Sequence, residues 1–309
     1  MDHASRRVAF SSQGETLTGV LFTPSGPPPG QLPAVVVAGG QTCVKEQMAQ
    51  RYAQRLGARG YAALAFDFRG FGESTGEPRD LESPARKVDD LRNALTFLAG
   101  QPNLDPDRLA ALGIGVGAGY AAVAAAEDPR LRALALVAPG LQDGEVVRAR
   151  YGGAQGVAER LAAGQAAQQK YEQTGEVDYE PVVTPSDPPA MVDYFLNPTR
   201  GGVPRWSNRF AVMAYPEWLA FDPVSAAPRI TVPTLMVHSE QATQPEAARR
   251  FFARLAGPKA ERWTGGVQFD FYDRDSHVTP AVDAVVDHLD AALGRTDTAA
   301  QAEHERPGT

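Results

Sequence analysis

One cysteine, Cys43, is present in 309 residues. An internal disulfide is excluded, which fits a reducing compartment, so a cytoplasmic protein is expected. Histidine is scarce too: the five are His3, His238, His277, His288 and His304, and none stands three or four positions from another. The helical spacing of a metal site is missing, and no metal is expected. No segment approaches the roughly 20 consecutive apolar residues needed to span a bilayer. The opening residues Met1-Asp2-His3-Ala4-Ser5-Arg6-Arg7 lack the apolar run of a signal peptide, so no membrane association is expected. Basic residues form no cluster, and a formal net charge of −7 provides no positive field for nucleic acid. No internal repeat is evident.

The most informative absence lies in Gly113-Ile114-Gly115-Val116-Gly117. Arg108 to Leu112 reads as a strand and Val116 to Ala126 as an Ala-rich helix, which places these glycines at a sharp strand-to-helix turn. In a Gly-x-Ser-x-Gly turn the central side chain stands exposed at the helix N-terminus, ready to attack a carbonyl. Here the central residue is Gly115. It carries no oxygen or sulfur, so acyl transfer from this position is chemically excluded.

What is there alternates apolar runs with helical periods. Pro33 to Gly40 reads as the first central strand, Val44 to Arg59 as a helix and Tyr61 to Phe66 as the next strand. Helix Pro84 to Ala99, strand Leu131 to Val137, strand Thr231 to His238, helix Pro245 to Leu255, strand Arg262 to Tyr272 and helix Pro280 to Leu293 continue the rhythm. The pattern predicts an α/β fold with a doubly wound, mostly parallel sheet. Residues 1–139 and 229–295 are expected to form the core, 140–228 an inserted cap, and 296–309 a polar, disordered tail. Pro24 to Gly30 reads as a surface turn. Within the cap, Val146 to Tyr171 reads as one helix, Val177 to Pro189 as irregular, and the remainder to Phe221 as aromatic-rich.

Four stretches together resemble the α/β-hydrolase fold, in its bacterial dienelactone-hydrolase-like branch. They are Val44-Lys45-Glu46-Gln47, Phe66-Asp67-Phe68-Arg69-Gly70-Phe71-Gly72-Glu73-Ser74, the glycine turn with Gly119-Tyr120 behind it, and Phe269-Asp270-Phe271-Tyr272-Asp273. Proteins of this kind place Ser or Cys at the turn, usually His after the last strand, and often an acid after the strand before it. Matched by position, the resemblance puts Gly115, Gln268 and Ala242 at those three places, so the whole triad is vacated. The Ala/Arg/Gly/Pro-rich composition resembles that of a high-GC bacterium.

The resemblance also implies an oxyanion hole, built from the backbone N–H of Val116 and that of Gln41 or Thr42. Such donors survive side-chain loss and can stabilise a developing enolate or alkoxide. Gln268 can donate a hydrogen bond to a substrate carbonyl but cannot take up a proton at neutral pH; it is equally an ordinary loop residue. His277 is the best remaining base candidate, and its plainer reading is a solvated or capping histidine. Cys43 stands beside the oxyanion loop, where a lone cysteine is ordinarily a small buried hydrophobe. His238 reads as structural and His288 as part of a surface helix. Asp67 and Arg69 read as an internal ion pair pinning their loop, and Asp270, Tyr272 and Asp273 as supporting or structural residues.

Gly115 leaves room for a ligand. Tyr120, Tyr151, Trp206 and Tyr215 are candidates to line its site, although aromatic residues in a cap ordinarily form its own small core. If they face the cavity, an aromatic or polycyclic small molecule fits. Gly113 to Ala118 also satisfies the dinucleotide pattern Gly-x-Gly-x-x-Ala, but the acid expected at the end of the next strand is absent from Leu131 to Gly140, so no cofactor is expected.

Three functional readings stay open. The first is a cofactor-independent cyclisation, elimination, oxygenation or carbon–carbon bond formation in bacterial natural-product biosynthesis. The second is a non-catalytic ligand-binding protein. The third is a residual esterase or lactonase working through Cys43 or His277. A homodimer is compatible with all three.

Overall fold

The computed structural model describes residues 2–26 and 30–294. The expected tail, 296–309, and part of the expected turn at 24–30 lie outside the described residues. The chain opens with a hairpin, β1 (His3–Ser12) and β2 (Glu15–Pro24), turned by Gln13 and Gly14 at φ 51° and 86°. Then follow β3 (Leu32–Ala38), α1 (Met48–Gly57), β4 (Ala62–Phe66), α2 (Pro84–Ala99), β5 (Leu104–Ile114), α3 (Gly117–Glu127) and β6 (Leu131–Val137). The chain next leaves the sheet for α4 (Gly144–Arg150), α5 (Gly153–Thr174), β7 (Tyr179–Pro181), α6 (Pro189–Phe195), β8 (Arg209–Ala211) and α7 (Tyr215–Ala220). It returns through β9 (Thr234–Ser239), α8 (Pro245–Arg254), β10 (Lys259–Thr264), α9 (Asp270–Asp273) and α10 (Asp275–Leu293).

The main sheet has the order β1-β2-β4-β3-β5-β6-β9-β10. Pairs β1/β2 and β2/β4 are antiparallel, and every other pair is parallel. The central strands are apolar throughout because both faces are covered. In β3, Ala34 and Val36 pack on the side of α2 and α3, whereas Val35 and Val37 pack on the side of α1 and α10. Each such buried aliphatic side chain contributes roughly 1.5–3 kcal/mol by leaving water. β7 and β8 form a separate two-stranded ribbon over the sheet's loops.

The fold class agrees with the sequence pattern, and several boundaries move. The expected helix from Val146 to Tyr171 is two helices, broken at Gly152 and Gly153, which take φ 80° and 79°. The helix expected from Val44 starts at Met48; before it, the Val44 and Lys45 N–H groups donate to Gln47 Oε1 and Asp67 Oδ1. The strand expected over Arg262 to Tyr272 ends at Thr264, before Gly265 and Gly266, and the Phe-rich segment that follows turns into α9. The last helix begins at Asp275 and carries Pro280 inside its second turn, rather than starting there.

Candidate active site

The glycine turn is built by close packing. A Cβ at Gly113 would lie 2.4 Å from Ala118 Cα, and one at Gly117 would lie 2.3 Å from the Gly39 carbonyl oxygen. The outer glycines therefore let strand, helix and neighbouring loop meet, which accounts for the dinucleotide-like spacing without a nucleotide. Gly115 takes φ 58°, a left-handed conformation that disfavours side chains. A Cβ there would also lie 2.3 Å from the Tyr272 hydroxyl oxygen. The phenol occupies the space into which a nucleophile would project, so the room for a ligand expected at Gly115 is filled, and Gly115 is not among the residues that line the cavity.

Gln268 holds that phenol. Its Nε2 donates to Tyr272 Oη at 3.0 Å and to the Ala138 carbonyl at 2.8 Å, while its Oε1 accepts from the Thr243 N–H at 2.9 Å. With both amide hydrogens committed, the Tyr272 oxygen acts as acceptor and its own proton has no acceptor among the described residues. Burial raises the Tyr272 pKa above the ordinary phenol value, against a smaller opposing effect from Gln268. The group is a neutral hydrogen-bond donor rather than a phenolate.

The oxyanion loop is anchored from below. Thr42, at φ 54°, donates its N–H to Glu82 Oε2 at 2.7 Å, so it is not available to a ligand. The N–H groups of Gln41 and Val116 have no acceptor among the described residues, and both residues line the cavity. Glu82 is fully buried and also accepts from Lys87 Nζ at 2.8 Å and Tyr120 Oη at 2.7 Å. The buried Lys87 ammonium lies over the rings of Phe68, Phe71 and Tyr120 at 4.5–5.1 Å.

Above the turn lies a cavity of about 790 Å³. Tyr272, Gln268 and the oxyanion residues form one wall; Tyr151, Phe195, Phe210 and Tyr215 come from the insert. Of the four aromatic residues proposed from sequence, Tyr151 and Tyr215 thus line it. Tyr120 lies in the core beneath, bonded to Glu82, and Trp206 stacks on Phe195 at 5.0 Å without lining the cavity.

His277 lies in the first turn of α10, outside the cavity lining, with Nδ1 3.0 Å from Ser276 Oγ. Cys43 does line the cavity, but burial pushes its thiol up to about 12, leaving it a poor nucleophile at neutral pH. Ala242 is buried beside the Thr243 N–H that fixes Gln268. His238 is fully buried, with neither ring nitrogen hydrogen-bonded among the described residues. His288 is half-buried rather than a surface residue, its Nε2 3.1 Å from the Leu134 carbonyl. The expected Asp67–Arg69 ion pair does not form: Asp67 pairs with Lys45 and Arg69 with Asp90, each at 2.7 Å.

Sequence reading gave Tyr272 no chemical part. The available signal was its spacing, four residues after Gln268, which puts the two side chains one helical turn apart.

A family profile described as serine aminopeptidase, S33, matches residues 33–263. The chain is 30% identical over 290 residues to the uncharacterized protein PA2218 of Pseudomonas aeruginosa, covering 87% of this chain and 76% of that one. The crystal structure of the hypothetical protein PA2218 superposes with a TM-score of 0.85, covering 94% of both chains at 26% identity. A polyketide transferase of Penicillium crustosum is 37% identical over 134 residues, which span 43% of this chain and 44% of that protein. A thiohydrolase of Eupenicillium brefeldianum is 29% identical over 227 residues, 68% of each chain.

Proposed function

We propose that this chain, which belongs to the serine aminopeptidase, S33 family of the α/β-hydrolase superfamily, is an enzyme that has exchanged acyl transfer for carbonyl activation. Its reaction is a cofactor-independent, non-hydrolytic step on an aromatic, polyketide-like small molecule in bacterial secondary metabolism. The carrying observation is the Tyr272 hydroxyl standing 2.3 Å from where a Cβ of residue 115 would be. Relatives named polyketide transferase and thiohydrolase support a substrate of that class.

The proposed chemistry uses three donors. A substrate carbonyl oxygen binds the N–H groups of Gln41 and Val116, and the Tyr272 phenol adds a third hydrogen bond from the nucleophile's place. Charge developing on that oxygen is stabilised without a covalent enzyme intermediate. One positioned donor of this kind is worth roughly 10²–10³ in rate. The substrate supplies its own reacting carbon, so cyclisation, elimination or carbon–carbon bond formation fits, whereas ester hydrolysis lacks both nucleophile and base. Gln268 keeps the phenol oriented, and the phenol, its pKa raised by burial, donates a hydrogen bond while keeping its proton.

Intact-mass analysis after treatment with a fluorophosphonate and with an activated aryl ester tests this reading. The protein is expected to remain unmodified and to show no burst of alcohol release. A stoichiometric phosphonyl or acyl adduct would overturn it.

A further inference from the structure

The cavity wall carries four charged residues: Arg150, Arg160, Glu180 and Asp187. Both carboxylates are already engaged. Glu180 accepts from the Tyr215 hydroxyl, and Asp187 accepts from the Thr184 N–H and Oγ1, each at 2.7 Å. Neither arginine forms an ion pair among the described residues. Arg160 bonds the Gly156 carbonyl at 3.3 Å and interacts with the Tyr215 hydroxyl that Glu180 holds, while Arg150 has no hydrogen bond among the described residues. By contrast Arg69, Arg200 and Arg250 each meet a carboxylate at 2.6–2.7 Å.

Their placement follows from the break between α4 and α5. The left-handed Gly152 and Gly153 turn the chain so that Arg150, at the end of one helix, and Arg160, within the next, both lie over the ring of Tyr151, at 5.6 and 4.9 Å. Arg160 is also 6.0 Å from the Tyr215 ring. Arg160 is half-buried and Arg150 exposed at the mouth. A guanidinium held on aromatic faces, partly withdrawn from water and reaching Glu180 only through the Tyr215 hydroxyl, keeps part of its fork of donors available to a planar anion.

We propose that Arg160, assisted by Arg150, is an anion subsite, and that the substrate carries an anionic oxygen group, a carboxylate or a phosphate, at its insert-facing end. This rests on the cavity being the substrate site, as proposed above. The substrate is then a two-ended molecule. A carbonyl lies at Gln41, Val116 and Tyr272, an aromatic body lies along Tyr151 and Phe210, and an anion lies at the arginines.

The test uses the full chain and three fluorescent probes of equal aromatic bulk: naphthoate, naphthyl phosphate and neutral naphthamide. At low salt at least one anionic probe is expected to bind roughly tenfold or more tightly than the amide. The order of naphthoate and naphthyl phosphate identifies the anion. Arg160→Gln removes the preference, lowering anion affinity roughly tenfold more than amide affinity; Arg150→Gln reduces it less, since exposed charges are screened. Arg160→Lys retains part of it. Equal thermal midpoints for these variants show that the fold is intact. Equal binding of anions and amide, or a preference that survives Arg160→Gln, would overturn the subsite and leave the carbonyl-activation reading standing. Failure of all three probes to bind would overturn both.

Discussion

The loop after β3 and the loop after β10 both reach the glycine turn, and they contribute to the site in different ways. The first presents main-chain N–H groups, fixed by a buried Glu82–Lys87–Tyr120 cluster that its own Thr42 N–H joins. The second presents side chains: Gln268 stands where the superfamily resemblance implies histidine, and Tyr272 fills the space over Gly115. A function carried by the backbone survives substitution as long as the loop holds its shape. A function carried by side chains can be altered by a few substitutions without disturbing strand order.

The largest effect is expected in the main-chain half. Glu82→Ala would leave Lys87 as an uncompensated buried charge and free the Thr42 N–H, at a cost of about 3–5 kcal/mol, read as a lower denaturant midpoint. A near-neutral result would mean that the first loop is not held by this cluster.

On the other side of the site, His238 is the penultimate residue of β9. Burial and nearby Arg249 lower its pKa from 6.5 to about 4, with Glu240 opposing. Below pH 6.5 the unfolded chain takes up a proton that the folded chain resists, so stability falls between pH 6.5 and 4 and the loss then levels off. The shift corresponds to about 3 kcal/mol. Unfolding curves across that range should show the slope, and His238→Leu should flatten it; an unchanged slope in the variant would assign it to other groups.

A smaller effect probes the meeting point. Gly115→Ala is expected to cost roughly 1–3 kcal/mol from its positive φ together with contact with Tyr272. In a Tyr272→Phe background, which removes the 2.3 Å contact partner, the same change should cost less. Strict additivity would show that the phenol does not occupy that space. The least change is expected at Cys43: with its thiol pushed up to about 12, native protein should resist iodoacetamide at neutral pH, whereas unfolded protein reacts. Rapid native alkylation would revive the thiol as a nucleophile.

Much of the scaffold was legible because buried parallel strands announce themselves as uninterrupted apolar runs, as in Val35-Val36-Val37. The helix break is marked in the sequence by the Gly152-Gly153 pair, a turn signal that the continuing apolar pattern masks, and both residues take the left-handed φ values such a turn needs. Gly115 and Gln268 could be located by position along the chain. Tyr272 and Arg160 could not be given their places, since what matters is which atom fills a space or lacks a partner, and that depends on packing between segments distant in sequence. Trp206 and Tyr120 illustrate the converse: their composition suggested a binding wall, yet one stacks within the insert and the other bonds into the core.

The central claim, that Tyr272 acts on a bound carbonyl from the nucleophile's place, is tested most directly by infrared spectroscopy of an isotope-labelled aromatic ketone in the cavity. The carbonyl stretch should fall to lower frequency on binding, with part of that shift lost in Tyr272→Phe at unchanged occupancy. An identical band in the wild type and in Tyr272→Phe would contradict the account.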